Sequence, residues 1–149
     1  MHLLWYDFWI FIIANLINLL MAVLLFGRTM GKARLETILG WIVVVMILPI
    51  SAAAVLNVHS SRPLWTAILL LPMILFLLAE LILDYILRVP FRESSWVWTY
   101  IFLYYLALLG MLGYCFAMKK VWGFVTLATY FINLGAVGWS HRSTGDSQQ

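Results

Sequence analysis

The chain has 149 residues, of which 65% are hydrophobic and only 10% are charged, and its formal net charge is +3. A soluble domain carries about 25% charged residues, so this composition indicates an integral membrane protein. The basic residues are scattered and form no stripe, which argues against binding to nucleic acid. The single cysteine, Cys115, excludes an internal disulfide and a cysteine-based metal cluster.

Five hydrophobic runs follow one another along the chain, and each is long enough for a transmembrane helix. They cover residues 5–26, 36–57, 64–87, 96–118 and 121–140. We therefore expect an all-α integral membrane protein, a bundle of five transmembrane helices that forms one domain over residues 1–142. Residues 143–149 are expected to form a short polar tail.

Local signals refine these helices. Pro49 and Pro72 lie inside the second and third runs, where each removes a backbone hydrogen bond, so we expect a kink at both. Lys119 and Lys120 must form the whole turn between the last two helices. The alternative, one long bent helix, would hold two lysines at mid-membrane at a higher cost. The first run lacks a basic region ahead of it and a small-residue cleavage site, which argues against a cleavable signal peptide.

The basic residues between the runs predict the orientation. With five spans, the first loop, the third loop and the tail share one side of the membrane. The basic residues on that side are Arg28, Lys32, Arg34, Arg88, Arg92 and Arg142, whereas the other side has Arg62, Lys119 and Lys120. The positive-inside rule then places the N-terminus outside and the C-terminus in the cytoplasm, in a multi-pass protein of the cytoplasmic membrane or an equivalent one.

Polar and small residues recur on one face of several helices. On the first helix this face holds Asp7, Ala14, Asn15, Asn18 and Ala22. On the fifth helix it holds Thr126, Thr129, Tyr130, Asn133, Ala136 and Ser140. We expect these faces to point inward. The opposite side of the fifth helix carries Gly135 and Gly138, which would let a partner helix or a second copy of the chain approach closely.

The third run contains two acids, Glu80 and Asp84, inside its own hydrophobic stretch. A carboxylate there costs about 2.5–3.5 kcal/mol, so an intramembrane acid is a functional candidate by default. Counted from the helix ends, Asn18, Tyr104 and Asn133 lie at the same depth as Glu80, about 10–12 Å of rise from the boundary. We therefore predict a ligand site centred on Glu80, and its residues are Glu80, Asp84, Asn18, Tyr104, Asn133, Asn15 and Arg88.

Some of these residues also have a structural interpretation. An asparagine in a transmembrane helix often supplies a hydrogen bond between helices, worth about 0.6 kcal/mol. Asp84 and Arg88 are four residues apart with the acid first, which is the favourable order for an ion pair on a helix.

The function that these residues favour is the binding or passage of a small ligand, whether a proton, a cation or an amphipathic molecule. Two alternatives stay open. The chain would act as a non-catalytic subunit of a larger membrane complex if the small-residue face holds a partner helix. It would be an enzyme acting on a phosphorylated lipid if basic residues of the cytoplasmic loops hold the phosphate. No histidine pair has metal-ligand spacing, and the sequence identifies no cofactor.

Overall fold

A computed structural model describes residues 3–87 and 96–145 of the chain. Over these residues the secondary structure is helical apart from short connections. Five stretches are long and apolar enough to cross a membrane, namely Trp5–Gly27, Arg34–His59, Trp65–Ile86, Val97–Met118 and Lys120–Ser140. The prediction of an all-α chain with five such helices is confirmed.

These five long helices consist of eight helical elements. The first is α1 (Trp5–Thr29), and the second comprises α2 (Ala33–Val45) and α3 (Ile47–His59). The third comprises α4 (Trp65–Ile68), α5 (Leu71–Glu80) and a π-helical turn (Leu81–Ile86). The fourth is α6 (Val97–Met118), and the fifth is α7 (Lys120–Gly145).

Both internal prolines break their helices about one turn upstream, as predicted. The break between α2 and α3 falls at Met46, three residues before Pro49, and α4 ends four residues before Pro72. Proline has no N–H to bond the carbonyl one turn earlier, and its ring collides with that carbonyl. A tighter bond bridges the first break, because Met46 N–H donates to the carbonyl oxygen of Val43 at 3.1 Å.

The turn predicted at the two lysines is confirmed, and one residue makes it. Lys119 has an extended backbone, with φ −155° and ψ 126°, between the end of α6 and the start of α7. At its other end α7 continues to Gly145, so residues 143–145 of the predicted polar tail are helical. Residues 146–149 lie outside the described residues.

The long helices pack as a ring in chain order. α1 packs along α7 and also contacts α2, α3 and α6, while α5 packs between α3 and α6, and α6 packs on α7. The polar faces predicted on α1 and α7 do point inward, since Asp7, Asn18, Thr126 and Asn133 are buried.

The helices alternate in direction, which gives the bundle two distinct ends. The start of α1, the loop after α3 and the turn before α7 meet at what we call the Asp7 end. The end of α1, the start of α2, the π-helical turn, the start of α6 and the end of α7 meet at what we call the Asp84 end.

The glycines of α6 and α7 lie on two different surfaces, one inside the bundle and one on its outside. Gly110 of α6 lies inside the bundle, where an added Cβ would collide with the carbonyl oxygen of Leu69 beside the break in the third helix. Gly135 and Gly138 are exposed, and a Cβ at either would meet no atom within 4 Å. Within the described part of the chain, nothing therefore packs closely on the small-residue face of α7, and its contact with a partner stays a prediction.

Candidate functional site

A cavity of about 510 Å³ lies at the Asp84 end of the bundle. All five long helices contribute to its wall. The lining residues are Met21, Leu24, Leu25, Glu36, Thr37, Gly40, Val43, Val44, Glu80, Asp84, Tyr85, Val97, Tyr100, Ile101, Tyr104, Tyr105, Val137 and Ser140. The volume falls within the range of about 300–1,000 Å³ that is typical of small-molecule sites.

Three carboxyl groups from two different long helices line this cavity. Glu36 comes from the first turn of α2, Glu80 ends α5, and Asp84 belongs to the π-helical turn. Glu80 is partly buried and accepts a hydrogen bond from the hydroxyl of Tyr100. The sequence predicted the two acids of the third helix but missed Glu36, because an acid in the first turn of a helix is ordinary. Its place beside an apolar run, at the same end as Asp84, was the available signal.

The π-helical turn explains how the end of the third helix turns an acid and a tyrosine toward the cavity. Leu87 N–H donates to the carbonyl oxygen of Ile82 at 2.8 Å, a bond over five residues instead of four. The wider turn places Tyr85 beside Asp84 on the cavity wall. The Tyr85 hydroxyl occupies the place where a side chain on Gly40 would lie. Such turns are frequent at functional sites.

Tyrosines of α6 form one side of the cavity. Tyr100 and Tyr104 are one turn apart, and both rings pack against Phe76, with centroids 5.5 and 5.3 Å away. The amide nitrogen of Asn133 donates to the Tyr104 hydroxyl at 2.6 Å. Tyr104 and Asn133 are thus neighbours, as the depth count predicted, and Tyr104 lies on the wall that Glu80 shares.

The other two predicted asparagines lie between α1 and α7, in a region that we call the α1–α7 seam. The Asn15 amide nitrogen donates to Thr126 Oγ1 at 3.2 Å, and Thr129 Oγ1 donates to Asn15 Oδ1 at 2.9 Å. The Asn18 amide nitrogen donates to Thr129 Oγ1 at 3.0 Å. Neither asparagine is among the described residues that line the cavity. These bonds match the structural interpretation, and contact with a ligand stays a prediction. Arg88 lies outside the described residues.

The Asp7 end holds a buried ion pair that we did not predict. Arg62 donates from its two terminal nitrogens to the two carboxylate oxygens of Asp7, at 2.7 and 2.9 Å. The Tyr114 hydroxyl and the backbone N–H of Leu4 each donate to the same carboxylate at 2.7 Å. Both charged side chains are buried, at 0% exposure for Asp7 and 6% for Arg62.

Asn57 completes this network, which we call the clasp and define as Asp7, Asn57, Arg62 and Tyr114. Arg62 donates to Asn57 Oδ1 at 3.1 Å, and the Asn57 amide nitrogen donates to the Tyr114 hydroxyl at 3.1 Å. The hydrogen bonds to Asp7 raise the pKa of Arg62 above its usual value, so the guanidinium stays charged. A charge pair this fully bonded is typical of a structural connection between α1, α3, α6 and the loop after α3.

The sequence contains a signal for the clasp. Asp7 lies on the polar face predicted for the first helix, and Arg62 lies in the loop predicted after the second. With alternating helices, however, the start of α1 and the loop after α3 lie at the same end. An acid and a base that lie at the same end of the bundle are expected to pair, because burying an unpaired charge there would cost free energy.

The cavity and the clasp differ in what they can do chemically. The clasp has satisfied its charged groups internally, whereas the cavity combines carboxyl and hydroxyl groups with an aliphatic wall. A molecule with a polar head and an apolar body fits such a wall, since each part meets its own kind of surface. No known protein family, curated protein or solved structure was found that matches this chain.

Proposed function

We propose that this chain crosses the membrane five times and binds a small amphipathic ligand in the cavity at the Asp84 end. The observation that carries the proposal is a cavity of about 510 Å³ with a mixed polar and aliphatic wall to which all five long helices contribute. A site shared by every helix depends on the whole fold, as expected of a binding protein whose mass lies almost entirely in the bilayer.

The size of the cavity favours an amphipathic ligand over a proton or a metal ion. A single ion needs a compact shell of ligands, whereas this space matches a molecule of many atoms. Leu24, Val43 and Val44 offer apolar surface to a ligand body. Glu80 and Tyr100 offer hydrogen-bonding groups to its head.

The outer surface of the bundle supports insertion in a membrane. Large apolar side chains on different helices are more than half exposed, including Leu48, Val55, Phe102 and Phe131. Several tryptophans near the helix ends are more than 60% exposed, namely Trp5, Trp96, Trp98 and Trp139. Exposed apolar side chains suit contact with lipid, and tryptophans near helix ends suit the membrane interface.

The proposed orientation has the N-terminus outside, which places the cavity at the cytoplasmic face. Single cysteines replacing Arg28 or Arg142, in a Cys115→Ser background, should be labelled from the cytoplasm. A cysteine replacing Lys119, which is exposed at the other end of the bundle, should react only from outside. Labelling at positions 119 and 142 from the same side would contradict five spans.

The binding proposal is tested by filling the cavity. Ile101 lines it, and its neighbour Phe102 is 68% exposed on the same helix. Ile101→Trp should displace the ligand, whereas Phe102→Trp adds a similar ring on the outer surface and should leave it bound. Molecules extracted from the purified proteins are compared by mass spectrometry, and thermal melting checks that each variant is folded.

We expect a molecule enriched over bulk lipid in the wild-type and Phe102→Trp proteins and depleted in folded Ile101→Trp. If wild-type protein carries no enriched molecule, or folded Ile101→Trp retains it, the cavity is not a ligand site.

The exposed face of α7 supports a second proposal, association with a second copy or a partner helix through Gly135 and Gly138. Small residues let helix backbones approach closely in a membrane. Gly135→Leu or Gly138→Leu should shift the oligomer in detergent toward the monomer, whereas Ile132→Leu, on the exposed side of the same helix, should not. A monomeric wild-type protein, or equal behaviour of all three variants, would mean that the glycines are incidental.

A further inference from the structure

Two buried amide oxygens, one on the α1–α7 seam and one on α7 beside Tyr104 of α6, have no hydrogen-bond donor among the described residues. They are Oδ1 of Asn18 and Oδ1 of Asn133. The two residues are 3% and 1% exposed. Their amide nitrogens, in contrast, are bonded to Thr129 and Tyr104. Buried polar atoms nearly always find a partner in the protein or in ordered water, so each oxygen calls for a donor.

The register of the seam relates these oxygens to the cavity. The bonds from Asn15 to Thr126 and from Asn18 to Thr129 both join residues 111 positions apart. The same register sets Asn133 level with Ala22.

Asn133 therefore lies about 6 Å of helix rise beyond Asn18, on the side of the cavity. Its partner Tyr104 lines the cavity wall, so the two oxygens stand in order behind Tyr104.

We infer that the α1–α7 seam binds water, and that this water continues the cavity as a hydrated path from Tyr104 to Asn18. Water is the donor of the right size, because α1 and α7 pack directly against each other. A buried water makes about two to four hydrogen bonds to polar groups. The seam offers the amide oxygen of Asn18 and the hydroxyl of Thr129, and the amide oxygen of Asn133 and the hydroxyl of Tyr104 lie toward the cavity.

The path ends inside the bundle. Toward the Asp7 end the amide of Asn15 is bonded to Thr126 and Thr129. Beyond it the inward side chains of α1 are Ala14, Ile13 and Ile10, all buried and apolar. Water would therefore reach the middle of the bundle from the Asp84 end and stop there. This inference goes beyond ligand binding in the cavity, since it concerns the seam and holds whether or not an amphipathic molecule occupies the cavity.

Water-edited solid-state NMR of the uniformly ¹³C,¹⁵N-labelled protein in liposomes tests the inference. The side-chain amide nitrogens of Asn18 and Asn133 should receive water magnetisation several-fold faster than the methyl groups of Ile50. Ile50 is an equally buried control on α3, away from the seam. Signals are assigned from single Asn→Gln variants expressed with ¹⁵N-asparagine, in which the substituted residue loses its signal.

Fast transfer to both asparagines supports the hydrated path. Transfer to either one that is as slow as transfer to Ile50 overturns it. The measurement does not depend on ligand binding, so its failure is distinguishable from failure of the proposed function.

Discussion

Replacing Arg62 with methionine tests whether the clasp holds the Asp7 end together, because methionine keeps much of the side-chain volume and removes the charge. The Asp7 carboxylate would retain two of its four hydrogen bonds, those from Tyr114 and Leu4. Removing one partner of a buried ion pair costs about 3–5 kcal/mol, because the other charge stays buried without compensation. For a chain of this size about 1 kcal/mol corresponds to 2–4 °C, so we expect Tm to fall by roughly 6–20 °C.

A double-mutant cycle isolates the interaction between the two charges. Asp7→Asn strands the guanidinium of Arg62 in the same way, so this variant should also be strongly destabilised. The double variant Asp7→Asn with Arg62→Met should lose less than the sum of the single losses, by about 0.5–3 kcal/mol. Thermal melting in detergent, followed by circular dichroism, gives all three values.

The control for this cycle is Lys119→Met at the same end of the bundle. Lys119 is exposed, and surface substitutions usually change stability by no more than about 0.5 kcal/mol. The structural role of the clasp would be refuted if Arg62→Met melts at the same temperature as the control. It would also be refuted if the stability losses of the two single variants add up to that of the double variant.

Two further predictions concern α6 and the cavity acids. Gly110→Ala should destabilise by about 1–3 kcal/mol in thermal melting, because its Cβ meets a backbone carbonyl, and Gly113→Ala, which meets only a side chain at 3.4 Å, should cost less. Equal melting of the two variants would contradict close packing at Gly110. Glu80→Gln should keep the fold and lose the copurified ligand, since an amide preserves the acceptor for Tyr100 but not the acid. Asp84→Asn should instead lower Tm and keep the ligand. If Glu80→Gln lowers Tm while Asp84→Asn keeps the fold and loses the ligand, the roles of the two acids are exchanged.

The long helices and their interruptions could be predicted from the sequence because they depend on neighbouring residues. A run of apolar side chains must satisfy its backbone within the run when it crosses a bilayer, which leaves the helix as its structure. Pro49 and Pro72 interrupt their helices through a missing N–H and a steric clash one turn away. The inward faces of α1 and α7 followed from helical periodicity, which is equally local.

The candidate site could be predicted only in part, because depth along a helix is local while rotation and pairing are not. The cost of a carboxylate in an apolar run pointed to Glu80, and counting along helices brought Tyr104 and Asn133 to one level. The same count put Asn18 at that level. In the structure, however, Asn18 bonds to Thr129, which lies one helical turn before Asn133 on α7. An error of a few residues at a helix end shifts such a count by about 3–6 Å.

The sequence by itself determined five apolar helices, where they break, and that acids of the third helix needed an explanation. The tertiary structure decided which side chains meet. Asp7 pairs with Arg62 across 55 positions, and Glu36 joins the acids of the third helix around one cavity. The wider turn after Glu80 also brings Tyr85 to that wall. Such meetings depend on how each helix rotates against its neighbours, and that rotation follows from the packing of all five helices together.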